Sequence, residues 1–189
     1  MTELLKDRAE LVERMPKNGV VAEIGVFQGG FSQKILDLAK PQSLYLIDCW
    51  QAQDSGEYTS DPMSKITQKR FDEAFKIVQD KFRNRTNVKI VKSYSDQAAK
   101  KYQKSQFDWI YIDANHTYKA FTKDIHLWFE LVRCGGYVCG HDYTEKHKWI
   151  EVVPALADFM RPRGLTLKYL TTNENESPSW CLKKEYLKL

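Results

Sequence analysis

The strongest constraint on the fold is a regular alternation of short apolar runs with longer amphipathic segments. Parallel strands need a crossover connection, and that connection is usually a helix. The alternation therefore predicts an α/β protein with a doubly wound, seven-stranded, mostly parallel sheet and helices on both faces. We expect the helix that begins near Tyr118 to end at a glycine cap over 134–136. The predicted strands lie at 20–26, 43–48, 88–91, 107–113, 137–140, 165–170 and 180–184.

The sequence also predicts the structure near each end of the chain. The loop between the last two strands is too short for a crossover, so one strand near the C-terminus should run antiparallel to its neighbours. Near the N-terminus, apolar residues such as Leu4 and Leu11 follow a loose helical spacing, which predicts a helix within residues 1–18. No linker or low-complexity tract follows, so we expect one domain over residues 1–189 with its core in residues 19–189.

Composition narrows the class of partner. The net charge of +4 comes from 29 basic and 25 acidic residues that are mixed along the chain, which argues against a dedicated nucleic-acid surface. No apolar stretch approaches the roughly 20 residues that span a bilayer, so we expect no membrane association. Four cysteines without a C-x-x-C pair fit a reducing, cytoplasmic compartment. A small molecule is the expected partner.

A glycine-containing turn follows the first predicted strand, in the segment 23–30. Gly25 and Gly29 allow a tight turn and close approach to a ligand, but Phe27 departs from the G-x-G-x-x-G pattern that binds a pyrophosphate. Asp48 ends the second strand, where an acidic side chain can hold the hydroxyls of a ribose. Together these features favour an adenosyl ligand. The alternatives are a simple tight turn and an Asp48 that caps the following segment.

Acidic and histidine side chains follow the fourth and fifth predicted strands. Asp113 and His116 lie after the fourth strand, and His141 and Asp142 after the fifth. Adjacent parallel strands bring their carboxyl ends to one edge of the sheet, so we expect these side chains to meet over the same pocket. They would suit a divalent cation or an acid–base pair that acts on a hydroxyl. Ordinary loop-forming roles for these residues are the alternative.

Three segments in this order resemble the class I S-adenosylmethionine-dependent methyltransferases. They are residues 22–29, 111–118 and 135–143, within a resemblance that covers nearly the whole chain. The greatest similarity is to the branch that includes macrolide- and aminocoumarin-sugar O-methyltransferases. The resemblance implies a Rossmann-like fold, S-adenosylmethionine as cofactor and methyl transfer to a small molecule, with a hydroxyl oxygen as the expected acceptor.

The resemblance also implies roles for individual residues in cofactor binding. Glu23, Gly25 and Gly29 would line the methionine end of the cofactor, and the backbone around Phe27 would pass close to it. Asp48 would hold the ribose hydroxyls. Three residues after the third strand would border the adenine, namely Ser93, Tyr94 and Ser95.

Metal-using members of this superfamily bind Mg²⁺ with an acid after the fourth strand and an Asp-Asp pair after the fifth. Here Asp113 matches the first position, whereas the pair reads His141-Asp142. A histidine makes the ligand set softer, so another divalent cation is an alternative to Mg²⁺. Without a metal, Asp113, His116 or His141 would act as the general base.

Two other functions are open at this point: a nicotinamide-dependent oxidoreductase, which Phe27 disfavours, and a cofactor-binding protein without transfer activity. The cover of the acceptor pocket is expected from residues 51–66 or from a second subunit in a homodimer. Trp149 and Trp180 are candidates for such an interface or for the core.

Overall fold

The computed structural model describes residues 1–52, 65–173 and 177–185. Its strands are β1 (Glu3–Leu5), β2 (Val20–Ile24), β3 (Ser43–Asp48), β4 (Val88–Lys92), β5 (Phe107–Ile112), β6 (Val132–Gly140), β7 (Leu167–Thr171) and β8 (Trp180–Lys183). Its α-helices are α1 (Arg8–Arg14), α2 (Gly30–Ala39), α3 (Gln68–Phe82), α4 (Ser95–Ala99), α5 (Tyr118–Leu131) and α6 (Val152–Met160), and a short 3₁₀ turn follows at Arg161–Arg163.

All the strands of the described residues belong to one sheet, in the order β1-β7-β8-β6-β5-β2-β3-β4. Seven strands take part in parallel pairings, in the groups β1·β7 and β6·β5·β2·β3·β4. Strand β8 runs antiparallel to both β6 and β7. The α/β class, the mostly parallel sheet and the antiparallel strand near the C-terminus are therefore confirmed. The predicted strand number was wrong, because the sheet has eight strands in the described residues and not seven.

The additional strand precedes helix α1, in the segment for which only a helix was predicted. Residues 3–5 form β1, which pairs in parallel with β7 so that Leu5 lies opposite Thr171. Leu5 is 2% exposed and Leu4 is 65% exposed, so the two leucines point to opposite sides as in a strand. Asp7 then caps α1 by accepting the amides of Ala9 and Glu10. Long-range pairing with β7 thus overrides the loose helical spacing at the start of the chain.

The predicted glycine cap after α5 was also wrong. Strand β6 begins at Val132, directly after the helix, and runs through the glycines to residue 140. Gly135 has a φ of 78° and its amide donates to the carbonyl of Lys184, while the amide of Lys184 donates to the carbonyl of Gly136. The glycines therefore shape an irregular stretch inside a strand.

Helices cover both faces of the sheet, as expected for a doubly wound fold. The apolar faces of α1, α2 and α3 bury one side, and those of α4, α5 and α6 bury the other. Trp180 is fully buried in the second of these cores, so it belongs to the interior and not to an interface between subunits. No helix in the described ranges is long and apolar enough to span a bilayer.

The alternating exposure of β1 gives a test with matched neighbours. Leu5→Ala should lower the free energy of unfolding by about 2–4 kcal/mol, because it removes a buried side chain. Leu4→Ala should change it by less than about 0.5 kcal/mol, because the side chain is exposed. Urea denaturation of the two variants measures the difference. Equal effects would contradict the alternation of exposed and buried side chains in β1.

Candidate functional site

A cavity of about 380 Å³ opens at the carboxyl edge of the parallel strands. Its walls come from the segments that follow β2, β3, β4 and β5, together with the inner faces of α2, α3 and α5. This is the edge at which open α/β sheets bind their ligands. The volume lies within the range of small-molecule and cofactor sites, about 300–1,000 Å³.

Most of the residues predicted to hold a cofactor lie in the wall of this cavity. They are Glu23, Gly25, Phe27, Asp48, Ser93, Tyr94 and Ser95. Gly29 is the exception among the described residues: it caps the start of α2, and its carbonyl accepts a hydrogen bond from Lys81. Asp113 and His116 also line the cavity, whereas His141 and Asp142 lie behind them.

The turn after β2 requires glycine at position 25. Gly25 has a φ of 89°, and a Cβ atom there would overlap the carbonyl oxygen of Asp113. The turn after β2 and the segment after β5 are therefore in backbone contact at the floor of the cavity. Only a residue without a side chain allows both the left-handed conformation and this contact.

Asp48 holds the loops at the centre of the cavity. Its Oδ2 accepts the amides of Val26 and Phe27 at 2.9 Å each, and its Oδ1 accepts the amide of Trp50 at 2.8 Å. The indole Nε1 of Trp50 in turn donates to the carbonyl of Phe27 at 2.8 Å. Asp48 therefore caps the segment after β3, which was the alternative to ribose binding. A carboxylate has about four acceptor positions, so one remains for a ligand.

Glu23 is a buried acid in the cavity wall. It is 2% exposed, and the hydroxyl of Ser32 donates to its Oε2. Burial raises the pKa of Glu23 to about 8, and the hydrogen bond from Ser32 only partly opposes this rise. A ligand that brings positive charge next to Glu23 would therefore stabilise its ionised form.

Two histidines converge on one carboxylate beyond the cavity wall. The Nε2 of His116 lies 2.8 Å from Oδ2 of Asp142, and the Nδ1 of His141 lies 3.2 Å from the same oxygen. Asp113 completes the group, with its Oδ1 3.5 Å from His116 and 3.8 Å from His141. We call these four residues the acid–histidine cluster. These distances confirm that the four side chains meet, but only Asp113 and His116 line the cavity.

Asp142 is the centre of this cluster. It is 7% exposed and has a φ of 58°, which is uncommon for a residue with a side chain. Burial disfavours its charged form, but hydrogen bonds from His116 and His141 outweigh burial and hold the pKa of Asp142 well below its usual value. The carboxylate is therefore ionised and fixes the orientation of both imidazoles.

The cluster could also hold a metal ion. One nitrogen of His141 and one oxygen each of Asp113 and Asp142 lie within 4.8 Å of one another. A set of one imidazole and two carboxylates suits Mn²⁺ or Zn²⁺ better than Mg²⁺, which prefers oxygen ligands throughout.

The model of one protein family matches this chain. It is described as a methyltransferase domain and it matches residues 22–143, which is 122 of the 189 residues. That segment holds the loops after β2 to β6, and so both the cavity and the acid–histidine cluster. The chain belongs to the methyltransferase-domain family. Family membership favours methyl transfer over the nicotinamide-dependent alternative.

Solved structures share the fold of this methyltransferase domain at low sequence identity. A Streptococcus mutans protein in complex with SAH (S-adenosylhomocysteine) is 12% identical, with 94% of this chain and 95% of that chain covered and a TM-score of 0.65. An rRNA methylase from Streptococcus thermophilus is 10% identical, with 94% of each chain covered and a TM-score of 0.63. The N-methyltransferase NodS from Bradyrhizobium japonicum is 14% identical, with 94% of each chain covered and a TM-score of 0.60. No curated protein matches the sequence.

Sequence reasoning missed two charged residues of this methyltransferase site. Arg8, on α1, has its guanidinium 4.9 Å from the ring centre of Phe31 and 4.0 Å from Oδ2 of Asp113. Nothing in the sequence shows where α1 docks, so Arg8 could not have been found. Asp124, on α5, lines the cavity. It lies between Phe121 and Ile125 on the apolar face of its helix, and an acid on such a face was a signal that could have been used.

Which segment closes over the acceptor pocket remains a prediction. Residues 53–64, most of the segment expected to close over the methyltransferase cavity, lie outside the described residues.

The raised pKa of Glu23 predicts how stability depends on pH. Between about pH 4.5 and pH 8 the folded domain keeps a proton on Glu23 that the unfolded chain releases, so stability should fall as pH rises. The slope from this group is at most about 1.4 kcal/mol per pH unit. Glu23→Gln should remove this pH dependence. The free energy of unfolding of the variant, relative to that of the wild type, should therefore rise up to about pH 8 and then stay constant. Urea denaturation without ligand from pH 4 to pH 9 measures this.

The exposed Glu13→Gln serves as the control for that experiment and should follow the wild type throughout. A Glu23→Gln curve parallel to the wild type would show that Glu23 titrates normally.

Proposed function

We propose that this protein is an S-adenosylmethionine-dependent methyltransferase that methylates a hydroxyl oxygen of a small-molecule acceptor. The observation that carries the proposal is the direct contact between the cavity and the acid–histidine cluster, through Asp113 and His116. A cavity of cofactor size next to proton-accepting side chains is what methyl transfer to a hydroxyl requires. The family match supports methyl transfer, and the oxygen acceptor is our inference from the cluster.

The cavity wall suits the three parts of the cofactor. Glu23 lies where it would face the positively charged amino group of the methionine part, and the turn at Gly25 leaves room beside it. Asp48, at the centre, has one acceptor position left for a ribose hydroxyl. Ser93 and Ser95 would border the adenine, together with Tyr94.

The chemical demands on the protein are modest, because the sulfonium of the cofactor is already an activated methyl donor. The protein must align the acceptor oxygen with the methyl group, which can contribute about 7–11 kcal/mol in favourable cases. It must also remove the proton of the hydroxyl. We assign this step to His116, which lines the cavity and is held by Asp142 at 2.8 Å. The carboxylate of Asp142 orients the ring and stabilises the imidazolium that forms when His116 takes the proton.

A second role for the acid–histidine cluster is to bind a divalent cation. Asp113, His141 and Asp142 would hold it, since their ligand atoms already lie within 4.8 Å of one another. When bound, a cation would lower the pKa of an acceptor hydroxyl as a Lewis acid. In both cases Asp113, a member of the cluster that also lines the cavity, can orient the acceptor.

The distribution of charged residues along the chain bears on the class of acceptor. Basic and acidic residues are mixed along the chain, which favours a small molecule over a nucleic acid. The described cysteines are free, in keeping with a reducing, cytoplasmic compartment. Residues 51–66 or the second subunit of a homodimer would complete the acceptor pocket.

The assignment of His116 predicts a selective loss of turnover. His116→Gln should lower the rate of SAH formation by about 10²–10⁴-fold, while the dissociation constant for SAH changes little, because His116 acts on the acceptor and not on the cofactor. Sugars, catechols and amines are screened as acceptors, with and without EDTA and with Mn²⁺, Zn²⁺ or Mg²⁺ added. His126→Gln, on the exposed face of α5, is the matched control and should retain full turnover.

Undiminished turnover by His116→Gln would contradict its role as the proton acceptor. Loss of turnover in EDTA with recovery in Mn²⁺ or Zn²⁺ would instead favour the metal-binding use of the cluster. Tight SAH binding with no methylated acceptor of any class would favour a cofactor-binding protein without transfer activity.

A further inference from the structure

The acceptor must reach the acid–histidine cluster from outside the cavity. The cavity measures about 380 Å³, which is the size of a cofactor site, so the acceptor would bind at its mouth. Asp113 lines the cavity and belongs to the cluster, and its two oxygens face different partners. Oδ1 lies 3.5 Å from Nε2 of His116, whereas Oδ2 lies 4.0 Å from Nη1 of Arg8, on α1. The proposed proton acceptor and a fixed positive charge therefore lie on the two sides of one carboxylate.

Arg8 lies at the edge of the cavity, next to two residues of its wall. Its guanidinium carbon is 4.9 Å from the ring centre of Phe31, which lines the cavity as Asp113 does. A cation over an aromatic face is attracted to the ring. The side chain of Arg8 is 25% exposed, so part of it is open to molecules that approach from outside.

The contact between Arg8 and Asp113 differs from that of the other arginine on α1. Arg14 has its Nη1 3.0 Å from Glu3 and its Nη2 3.2 Å from Glu10. The 4.0 Å between Arg8 and Asp113 is too long for a hydrogen bond, so Asp113 attracts Arg8 by its charge. A guanidinium carries five N–H donors in a planar fork, so it can bind an anionic group of a ligand while it stays near Asp113.

We propose that Arg8 binds a carboxylate of the methyl acceptor, so that the methylated hydroxyl belongs to a hydroxy acid. The inference rests on the proposed methyl transfer to a hydroxyl. Because His116 and Arg8 lie beside the two oxygens of Asp113, the hydroxyl and the carboxylate of the acceptor must be separated by only a few bonds. A carboxylate also matches the fork of a guanidinium, which binds it through two parallel hydrogen bonds. Short hydroxy acids, sugar acids and hydroxylated aromatic acids have this arrangement.

The carboxylate of the cofactor is the other anion that a cation near this cavity would attract. The position of Arg8 favours the acceptor. The residues that we assign to the cofactor line the cavity, with the exception of Gly29, whereas Arg8 lies outside its wall with a quarter of its side chain exposed. Measuring the affinity for SAH separately from the affinity for the acceptor distinguishes the two anions.

The test measures how three pairs of ligands bind to the complex of the protein with SAH. The pairs are lactate and lactamide, salicylate and salicylamide, and glucuronate and glucuronamide. Within each pair the hydroxyls are the same and only the charge of the carboxylate is removed. The proteins are the wild type, Arg8→Lys, Arg8→Gln and Arg14→Gln, and calorimetry gives the dissociation constants. Arg14 is the matched control, because it lies on the same helix and pairs with Glu3 and Glu10.

In at least one pair, the wild type should bind the acid about 10- to 100-fold more tightly than the amide, as expected for a hydrogen bond between charged groups. The ratio should approach one in Arg8→Gln and be intermediate in Arg8→Lys, which keeps the charge but loses the planar fork. Arg14→Gln should keep the ratio of the wild type, and the dissociation constant for SAH should be the same in all four proteins. Because the readout is a ratio within each protein, a general loss of stability does not imitate the expected result.

Three results would overturn the inference. They are a wild type without preference for the acid in any pair, a preference that Arg8→Gln retains, and a preference that Arg14→Gln also loses. If Arg8→Gln retains the preference and binds SAH more weakly, Arg8 serves the carboxylate of the cofactor instead. In each of these cases the wild type still binds SAH, so the proposed function stands. A wild type that does not bind SAH would contradict the proposed function itself, and the role of Arg8 would fail with it.

Discussion

The site depends on a single carboxylate, that of Asp48. It accepts two amides from the turn after β2 and one from the segment after β3, and so locks together the two loops at the centre of the cavity. Phe27 is held in a left-handed conformation within this network, with its carbonyl bound by Trp50. Loops fixed in this way cost little further entropy when a ligand binds. The cavity is thus largely formed before the cofactor arrives.

The buried acids near Asp48 have different roles because their surroundings differ. Glu23 and Asp124 are buried with one recorded hydroxyl donor each, and burial raises the pKa of both. Asp142 is also buried, yet two imidazoles keep it ionised. The first two acids therefore gain from a ligand that supplies a positive charge or a donor. Asp142 needs none, and serves to orient histidines.

The sequence predicted most of the fold because strands buried on both faces are continuous apolar runs, as in Leu44–Ile47, and because Gly25 marks an obligatory turn. It missed β1, since three residues carry no usable period and Leu5 is buried only through pairing with β7. The acid–histidine cluster was predictable, because parallel strands bring their carboxyl ends together. Arg8 was not predictable, because its place depends on how α1 docks against the sheet.

The most direct test of the account is thermal unfolding with and without SAH. A ligand that binds only the folded state stabilises it by about 2.7 kcal/mol at a hundred times its dissociation constant. For a chain of this size that corresponds to a rise in melting temperature of roughly 5–10 °C. The account predicts such a rise with SAH and none with NADH. No rise at millimolar SAH, or an equal rise with NADH, would contradict an adenosylmethionine site in this cavity.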